Sequence, residues 1–307
     1  MRIVVPGPMR IFVTGAAGFI GWNLVRLLLV RGHQVIALVH KDSDAAKFGK
    51  VERVVVGDVA RRETFESAAK DADAIVHLAL PDAQTKFRIA YRVTMDGTRN
   101  MVAVAVERGM RGIAIASGCA AVYRHAPGAW IDETTPIEPI ARTTRARGEA
   151  VAVVRNAQQK HGLHSVVIRP PFVYGRGGAF QKYFVDYMRA GKYRVLGDGS
   201  NYTGFVHVQD CALAYALALE KAKGYEEYIV ADDEPMTLRV ASDLIADAIG
   251  AKRPGSVPPI LASFVVGRDA VLLLTESFRP RNSKIKERLG WRPVYPTIRE
   301  GLPSVVA

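Results

Sequence analysis

Cysteine is nearly absent from this chain: 2 in 307 residues. Two thiols cannot build a disulfide framework, which fits a reducing, cytoplasmic setting. Long apolar runs are missing as well. No stretch reaches the roughly 18 residues that a membrane span needs. The nearest, Pro258 to Thr275, is broken by Arg268 and Asp269. Residues 1–8 carry Pro6-Gly7-Pro8 and no apolar core of a secretory signal. They read as a loose extension, with Met9 as an alternative start. The 7 histidines are scattered and no zinc-ligand spacing occurs, so no metal site is expected. P-loop and nucleophile-elbow motifs are absent, as are internal repeats. Acidic residues are in short supply, 30 against 42 Lys and Arg, which leaves a net charge of +12. Such a surplus raises the question of a polyanionic partner. The densest basic stretch, Arg279 to Arg288, reads instead as a solvated helix face, so neither a nucleic acid nor a membrane is expected as a partner.

What is present is ordinary globular material: 49% hydrophobic and 23% charged residues. The length suits two domains, or one α/β unit with a lobe. The strongest signal begins at Arg10-Ile-Phe-Val-Thr14, a β-branched and aromatic run suited to a buried strand. Gly15-Ala-Ala-Gly18-Phe-Ile-Gly21 follows, then a helical stretch from Trp22 to Arg31 closed by Gly32. In this context the first glycine permits the tight turn. The second lets backbone approach a pyrophosphate, and the third lets helix and strand pack closely. The pattern predicts dinucleotide binding at Gly15, Ala17, Gly18, Phe19, Ile20 and Gly21, with helix N–H groups facing the phosphates. Further strands are predicted over 34–39, 53–57, 74–78, 112–117 and 165–169, and helices over 61–70, 82–108 and 142–161. This alternation predicts an α/β fold, a Rossmann-type doubly wound parallel sheet with a smaller C-terminal substrate lobe. The expected division is 9–172 plus 206–231 for the dinucleotide-binding domain and 173–205 plus 232–307 for the lobe.

From about Met9 to Leu302 the sequence resembles the extended short-chain dehydrogenase/reductase family, in its NAD(P)-dependent epimerase/dehydratase-like branch. The resemblance rests on Thr14–Gly21, Gly57-Asp58-Val59, His77-Leu78-Ala79, Gly97-Thr98, Arg169-Pro170, Val173-Tyr174-Gly175, Gly197-Asp198-Gly199 and Phe205-Val-His-Val208 with Asp210. Leu289-Gly-Trp-Arg-Pro293 and Glu300-Gly-Leu302 complete it. It implies that Asp58 and Val59 contact the adenine end of a cofactor and that Leu78 and Ala79, after His77, line its middle. Pro171 belongs to the same implied set. Asp58 could equally hold a turn, and His77 could be a satisfied core histidine. The resemblance also implies a homodimer through the helices over 82–108 and 142–161.

The residue at the end of the second strand distinguishes NAD from NADP. A carboxylate there would bond a ribose 2′-hydroxyl. Here the slot holds Val39, followed by His40 and Lys41, with no acid until Asp42. A cation attracts a 2′-phosphate, so NADP is favoured, with NAD as the alternative.

The family's catalytic groups are a Tyr, a Lys four residues later and an upstream Ser or Thr. This chain departs from that pattern. None of its 11 tyrosines has Lys four residues on. The motif order puts Ala141 in the Tyr slot, Arg145 in the Lys slot and Cys119 in the Ser/Thr slot, with Ser117 two residues earlier and Glu149 four after Arg145. Arg145 can hold a ribose or an anion but does not give up its proton. Cys119 and Tyr123 are the other candidate catalytic groups, and Cys119 needs a lowered pKa to react. Cys119 could also be a small buried filler, and Cys211 reads as core. Arg142, Arg145 and Arg147 share the helix. Nucleotide-sugar enzymes of this branch place Asn at what is here Phe172 and Arg at what is here Thr203. Their absence disfavours a nucleotide sugar, and a small carbonyl or hydroxyl metabolite fits better. Leu80, Cys119, Phe172, Tyr174 and Tyr183 are the candidate substrate-lining residues. The sequence therefore supports an NADP-binding oxidoreductase with a non-standard active site. It leaves open a catalytically silent NADP(H)-binding regulator or scaffold, and an NAD-dependent sugar epimerase or dehydratase.

Overall fold

The computed structural model describes residues 7–81, 85–118, 126–139 and 141–306. The chain divides into two compact units. The first comprises the described residues of Met1–Ser117, Ala146–Ile168 and Ala212–Tyr228. The second comprises those of Gly118–Arg145, Arg169–Cys211 and Ile229–Ala307.

The first unit is built on a seven-stranded sheet. Its strands are β1 (Arg10–Thr14), β2 (Gln34–Val39), β3 (Arg53–Val56), β4 (Ala74–His77), β5 (Gly112–Ala116), β6 (His164–Arg169) and β7 (Tyr225–Ile229), in the order β7-β6-β5-β4-β1-β2-β3. Every pairing from β3 through to β6 is parallel. Central strands covered on both faces must be apolar on both. Ile11, Phe12, Val13, Val35, Ile36, Ile75 and Val76 are accordingly buried. β7 does not show the same pattern. Its Tyr225-Glu-Glu-Tyr-Ile229 run carries two acids and was not legible as a strand. Glu227 is buried there beside Arg155 at 2.8 Å.

Helix α1 (Phe19–Val30) ends as the sequence expects. Gly32, at φ +84, donates to Leu29 O while His33 donates to Leu28 O. This is the paired bond set of a Schellman stop, which needs a left-handed residue. Helix α2 (Phe87–Glu107) begins at Phe87, so the expected start at 82 is corrected for residues 85–86, and 82–84 lie outside the described residues. The helix expected over 61–70 is also corrected. It divides into a 3₁₀ turn, Arg62–Thr64, and a single α-turn, Glu66–Ala69. Two side chains explain the break. The Thr64 hydroxyl bonds back to Arg61 O (2.7 Å) and takes the Asp58 N–H (3.0 Å), competing with helical bonding. Phe65 turns inward against Phe12, ring centroids 5.9 Å apart. Helix α3 (Arg142–His161) has the predicted bounds, and α4 (Val208–Lys221) carries a fully buried Cys211.

The second unit has short strand pairs and a core of Tyr174, Phe180, Phe184, Phe205, Leu238, Ile245, Ile298 and Leu302. Parallel pairs join Phe172–Tyr174 to Phe205–His207, Val195–Leu196 to Ser256–Val257, and Ala129–Ile131 to Phe278–Pro280. Besides the consecutive helical pieces Gly178–Phe180, Gln181–Asp186 and Tyr187–Arg189, its helices are α5 (Leu238–Ala248), α6 (Pro259–Val266), α7 (Arg268–Thr275), α8 (Ser283–Leu289) and α9 (Ile298–Val306). Two closing motifs of the sequence acquire structural reasons here. Trp291 is fully buried and donates to Asp210 O (2.9 Å), while the Asp210 carboxylate takes N–H groups of Val294 (2.6 Å) and Tyr295 (3.0 Å). Gly301 is obligatory because an added β-carbon would collide with the Tyr174 hydroxyl.

Candidate cofactor and active site

The C-terminal ends of the first unit's strands hold its candidate groups. The turn after β1 is forced by contact. Gly15 sits at φ +66, and a β-carbon on it would lie 2.8 Å from the backbone of Leu78 and Ala79. A β-carbon on Gly21 would collide with Gly15 O, so the first turn of α1 rests directly on the loop. Gly18 caps α1 without any side-chain bond, and the first turn carries no acid. First-turn N–H groups of a helix have no intrahelical acceptor. This bare cradle, with the dipole's positive end facing it, fits the pyrophosphate of a dinucleotide.

Around the cradle the predicted residues converge. Thr14 and His77 are register partners on adjacent strands, and Thr14 Oγ1 lies 2.7 Å from His77 Nδ1 while accepting the Ala79 N–H at 3.2 Å. Burial pushes His77 down to about 4, so its imidazole is neutral at ordinary pH. Its Nε2 is buried and lacks a hydrogen-bond partner. Gly97 permits the approach of α2, since a β-carbon there would be 3.0 Å from Val59 and 3.4 Å from the His77 ring. Val59 is buried and its carbonyl takes Asn100 Nδ2 at 2.9 Å. Leu78, Ala79 and Leu80 are half-buried at the exit of β4. Asp58 does hold a turn, with Oδ1 accepting the Ala60 N–H at 2.9 Å. His40 and Lys41 are both exposed directly after β2. Neither has an ion-pair partner among the described residues.

Two groups escaped the sequence reading. Thr14 fixes the His77 ring, and the signal was its position opposite His77 once strands β1 and β4 are aligned. Tyr91 on α2 donates its hydroxyl to Glu149 on α3, a pair separated by 58 residues with no local signature.

In the second unit, Ala141 directly precedes α3 and is buried, and its carbonyl takes both the Thr144 N–H (3.1 Å) and the Thr144 hydroxyl (2.9 Å). Arg145 is exposed in the first turn of α3. Cys119 and Tyr123 lie outside the described residues, as do the other residues of 119–125. Pro171 is half-buried and packs beside Gly204. Phe172 is half-buried between Phe184 and Phe205, with centroids 6.0 and 5.9 Å away. Tyr183 is half-buried and meets Tyr187 edge-on at 5.6 Å, as helix packing expects. Tyr174 requires a correction. It is fully enclosed by Phe180, Phe205 and His207 and donates to Thr297 O (3.3 Å), so it is a core residue rather than a pocket wall. Burial likewise pushes the Cys211 thiol up, which removes it from nucleophilic chemistry.

Comparison with known proteins agrees with this geometry. The model of the NAD dependent epimerase/dehydratase family matches residues 11–231. The chain belongs to that family. It is 32% identical, over 96% of its length and 99% of the relative's, to the 3-diazoavenalumate denitrifying reductase of a Streptomyces species. It is 29% identical, over 81% of the chain and 76% of the relative, to a 4-hydroxy-2-methyl-3-oxo-4-farnesyl-3,4-dihydroquinoline-1-oxide ketoreductase of Stigmatella aurantiaca. Among solved structures it matches the dTDP-glucose 4,6-dehydratase of Streptomyces venezuelae, determined with NAD bound. The TM-score is 0.83 at 25% identity, over 97% of this chain and 96% of that one. The family and these relatives are NAD(P)-dependent oxidoreductases, epimerases and dehydratases. Among the described residues, no helix is long and apolar enough to cross a membrane, and no group of three or more His, Cys, Asp or Glu could hold a metal ion.

Proposed function

We propose that this chain is an NADP(H)-dependent oxidoreductase acting on a small carbonyl or hydroxyl metabolite, not a nucleotide sugar, through a site without a Tyr-x-x-x-Lys pair. The observation that carries this reading is an intact glycine cradle in a chain whose Tyr slot holds a buried methyl group, Ala141. Gly15, Ala17, Gly18, Phe19, Ile20 and Gly21 hold the pyrophosphate. His40 and Lys41 take the 2′-phosphate, Asp58 and Val59 the adenine end, and Leu78, Ala79 and Pro171 the middle and nicotinamide end. Bound there, the dinucleotide would supply hydride to a carbonyl or accept it from a hydroxyl. The Arg145 guanidinium, a fork of N–H donors, holds a ribose hydroxyl or a developing substrate anion. Cys119 and Tyr123 are the candidate hydrogen-bond and proton donors, and Leu80, Cys119, Phe172 and Tyr183 are the candidate substrate-binding residues.

Two further points support the reading. Phe172 and Thr203 offer no bidentate anion clamp where a diphosphate would need one. The two relatives named above are reductases of 3-diazoavenalumate and of a quinoline oxide, neither a nucleotide sugar. The test is a titration with NADPH and NADH, followed by turnover on a panel of aryl ketones, β-keto acids and nucleotide sugars. Tighter NADPH binding with reduction of a non-sugar substrate is expected. Equal or tighter NADH binding, or turnover of a nucleotide sugar alone, contradicts the reading. Tight NADPH binding with no turnover on any class favours a silent cofactor-binding regulator instead.

A further inference from the structure

The second unit's strand pair of Ala129–Ile131 with Phe278–Pro280 has two unlike faces. Ile131 and Phe278 pack into a core with Ile229 and Ala231. Trp130 and Arg279 are register partners, and side-chain alternation sends both to the opposite face. Trp130 is left 49% exposed there, although tryptophan is among the more buried residue types on average. Its ring is braced by cations. The Arg279 guanidinium lies 3.7 Å from the Tyr202 ring centroid and 5.9 Å from that of Trp130. Tyr202 is itself anchored, with its N–H bonded to Ser277 Oγ at 3.0 Å. Arg281 lies over Trp130 at 5.3 Å. Its backbone N–H goes to Ile131 O at 2.9 Å, while its guanidinium has no hydrogen bond or ion pair among the described residues.

Trp130 and Arg281 line a cleft of about 330 Å³, within the size range of small-molecule sites. Pro235 and Pro280 add apolar walls, and Ser283 adds an exposed hydroxyl. The charges around the cleft decide the sign of its ligand. Asp233 takes Asn282 Nδ2 at 2.6 Å and pairs with Lys286. Both Asp232 carboxyl oxygens are enclosed away from solvent. Asp132, held below the ordinary carboxylate range by bonds from Thr134 and by the charge of Arg281, carries the Thr134 N–H (2.9 Å) and hydroxyl (2.5 Å). Among the lining residues, Arg281 is thus the charge left to meet a ligand.

We propose that this cleft binds a small aromatic carboxylate, its ring stacked on Trp130 and its carboxylate held by the Arg281 guanidinium. A guanidinium meets a carboxylate through two parallel N–H bonds, and it can lie on an aromatic face without giving up those donors. The apolar ring of the ligand gains from Trp130 and the two prolines what a purely polar anion would not. Two guanidiniums beside the Trp130 ring repel a cationic ligand. One available cation suits one carboxylate, whereas a nucleic-acid strand needs several phosphate contacts. None of the lining residues is assigned above to cofactor or substrate, so the site stands independently of the proposed activity.

The test is isothermal titration of the full chain with naphthoate. Naphthalenemethanol, which lacks the charge, and cyclohexanecarboxylate, which lacks the aromatic ring, serve as comparators. Naphthoate is expected to bind more tightly than either. Arg281→Gln should weaken naphthoate about tenfold and leave naphthalenemethanol nearly unchanged. Arg281→Lys, which keeps the charge without the fork, should fall between the two. Trp130→Ala should weaken both aromatic probes about fivefold. Both side chains are exposed, so circular dichroism should show each variant folded. The proposal is overturned if naphthoate does not bind, if it binds no better than naphthalenemethanol, or if its affinity is unmoved by Arg281→Gln and Trp130→Ala. Binding of a single-stranded oligonucleotide without binding of naphthoate overturns it as well.

Discussion

At the residue scale, the candidate cofactor site rests on small groups whose size is dictated by neighbours. Gly15 and Gly21 are fixed by contacts with Leu78, Ala79 and the loop carbonyl, and the sequence carried that information because those contacts are local to one strand–turn–helix unit. The exposed position of His40 and Lys41 directly after β2 was legible for the same reason. Lys41→Ala is expected to weaken NADPH about tenfold, or ~1.4 kcal/mol, and to leave NADH nearly unchanged in parallel titrations. An unchanged NADPH affinity would reject Lys41 as the phosphate group. Ala141 is a second case. It is buried at the entry to α3, so Ala141→Tyr must push neighbours aside, at a cost of about 1–3 kcal/mol by overpacking. Chemical denaturation should show that loss, and a Tyr accommodated without it would mean the slot retains the room of an ordinary phenol site.

At the element scale, strands and helices were legible wherever their periodicity was uninterrupted, as in β1, β2 and α3. The failures share a cause: side chains engaged in contacts that no local pattern records. Thr64 and Phe65 broke the helix expected over 61–70, and Tyr174 was drawn into the core under α9. The Asp210–Trp291 link spans 81 residues and explains a motif that the sequence could only recognise. A buried acid nearby yields a pH prediction. Asp232 is fully buried in the loop between β7 and α5, and neither carboxylate oxygen has a hydrogen-bond partner. Burial pushes it up to about 8, offset in part by the backbone N–H groups of Glu234 and Ile298. The folded chain therefore keeps a proton that the unfolded chain releases near pH 4. That contribution to stability is complete below pH 4 and lost as pH rises through about 8. Asp210, raised to about 6 by burial, adds a slope of the same sign at lower pH. Between pH 7 and 9 the Tm of the wild type should fall relative to that of Asp232→Asn. Parallel Tm curves over that range would show that Asp232 is already ionised in the fold.

At the scale of the whole molecule, the surplus of basic residues divides into several jobs. Some cations are structural. Arg279 stacks on Tyr202 at 3.7 Å, Arg281 lies over Trp130 at 5.3 Å, and Lys286 pairs with Asp233, so the Arg279–Arg288 stretch is partly consumed within the fold. Under the proposed function His40 and Lys41 face a cofactor phosphate. Family membership and the parallel sheet were both legible from motif order, because each motif marks a strand end or a helix stop. The catalytic group was not: its candidates Cys119 and Tyr123 lie outside the described residues, and no pattern in the chain names the substrate. The central claim is that this scaffold transfers hydride from NADPH without the phenol at the Ala141 position. Its most direct measurement is mass spectrometry of products after incubation with NADPH deuterated at nicotinamide C4 and the ketone panel. Deuterium in a reduced, non-sugar product, formed by the wild type and lost in Gly21→Ala, is the expected result. Bound NADPH with no deuterium in any product would contradict it.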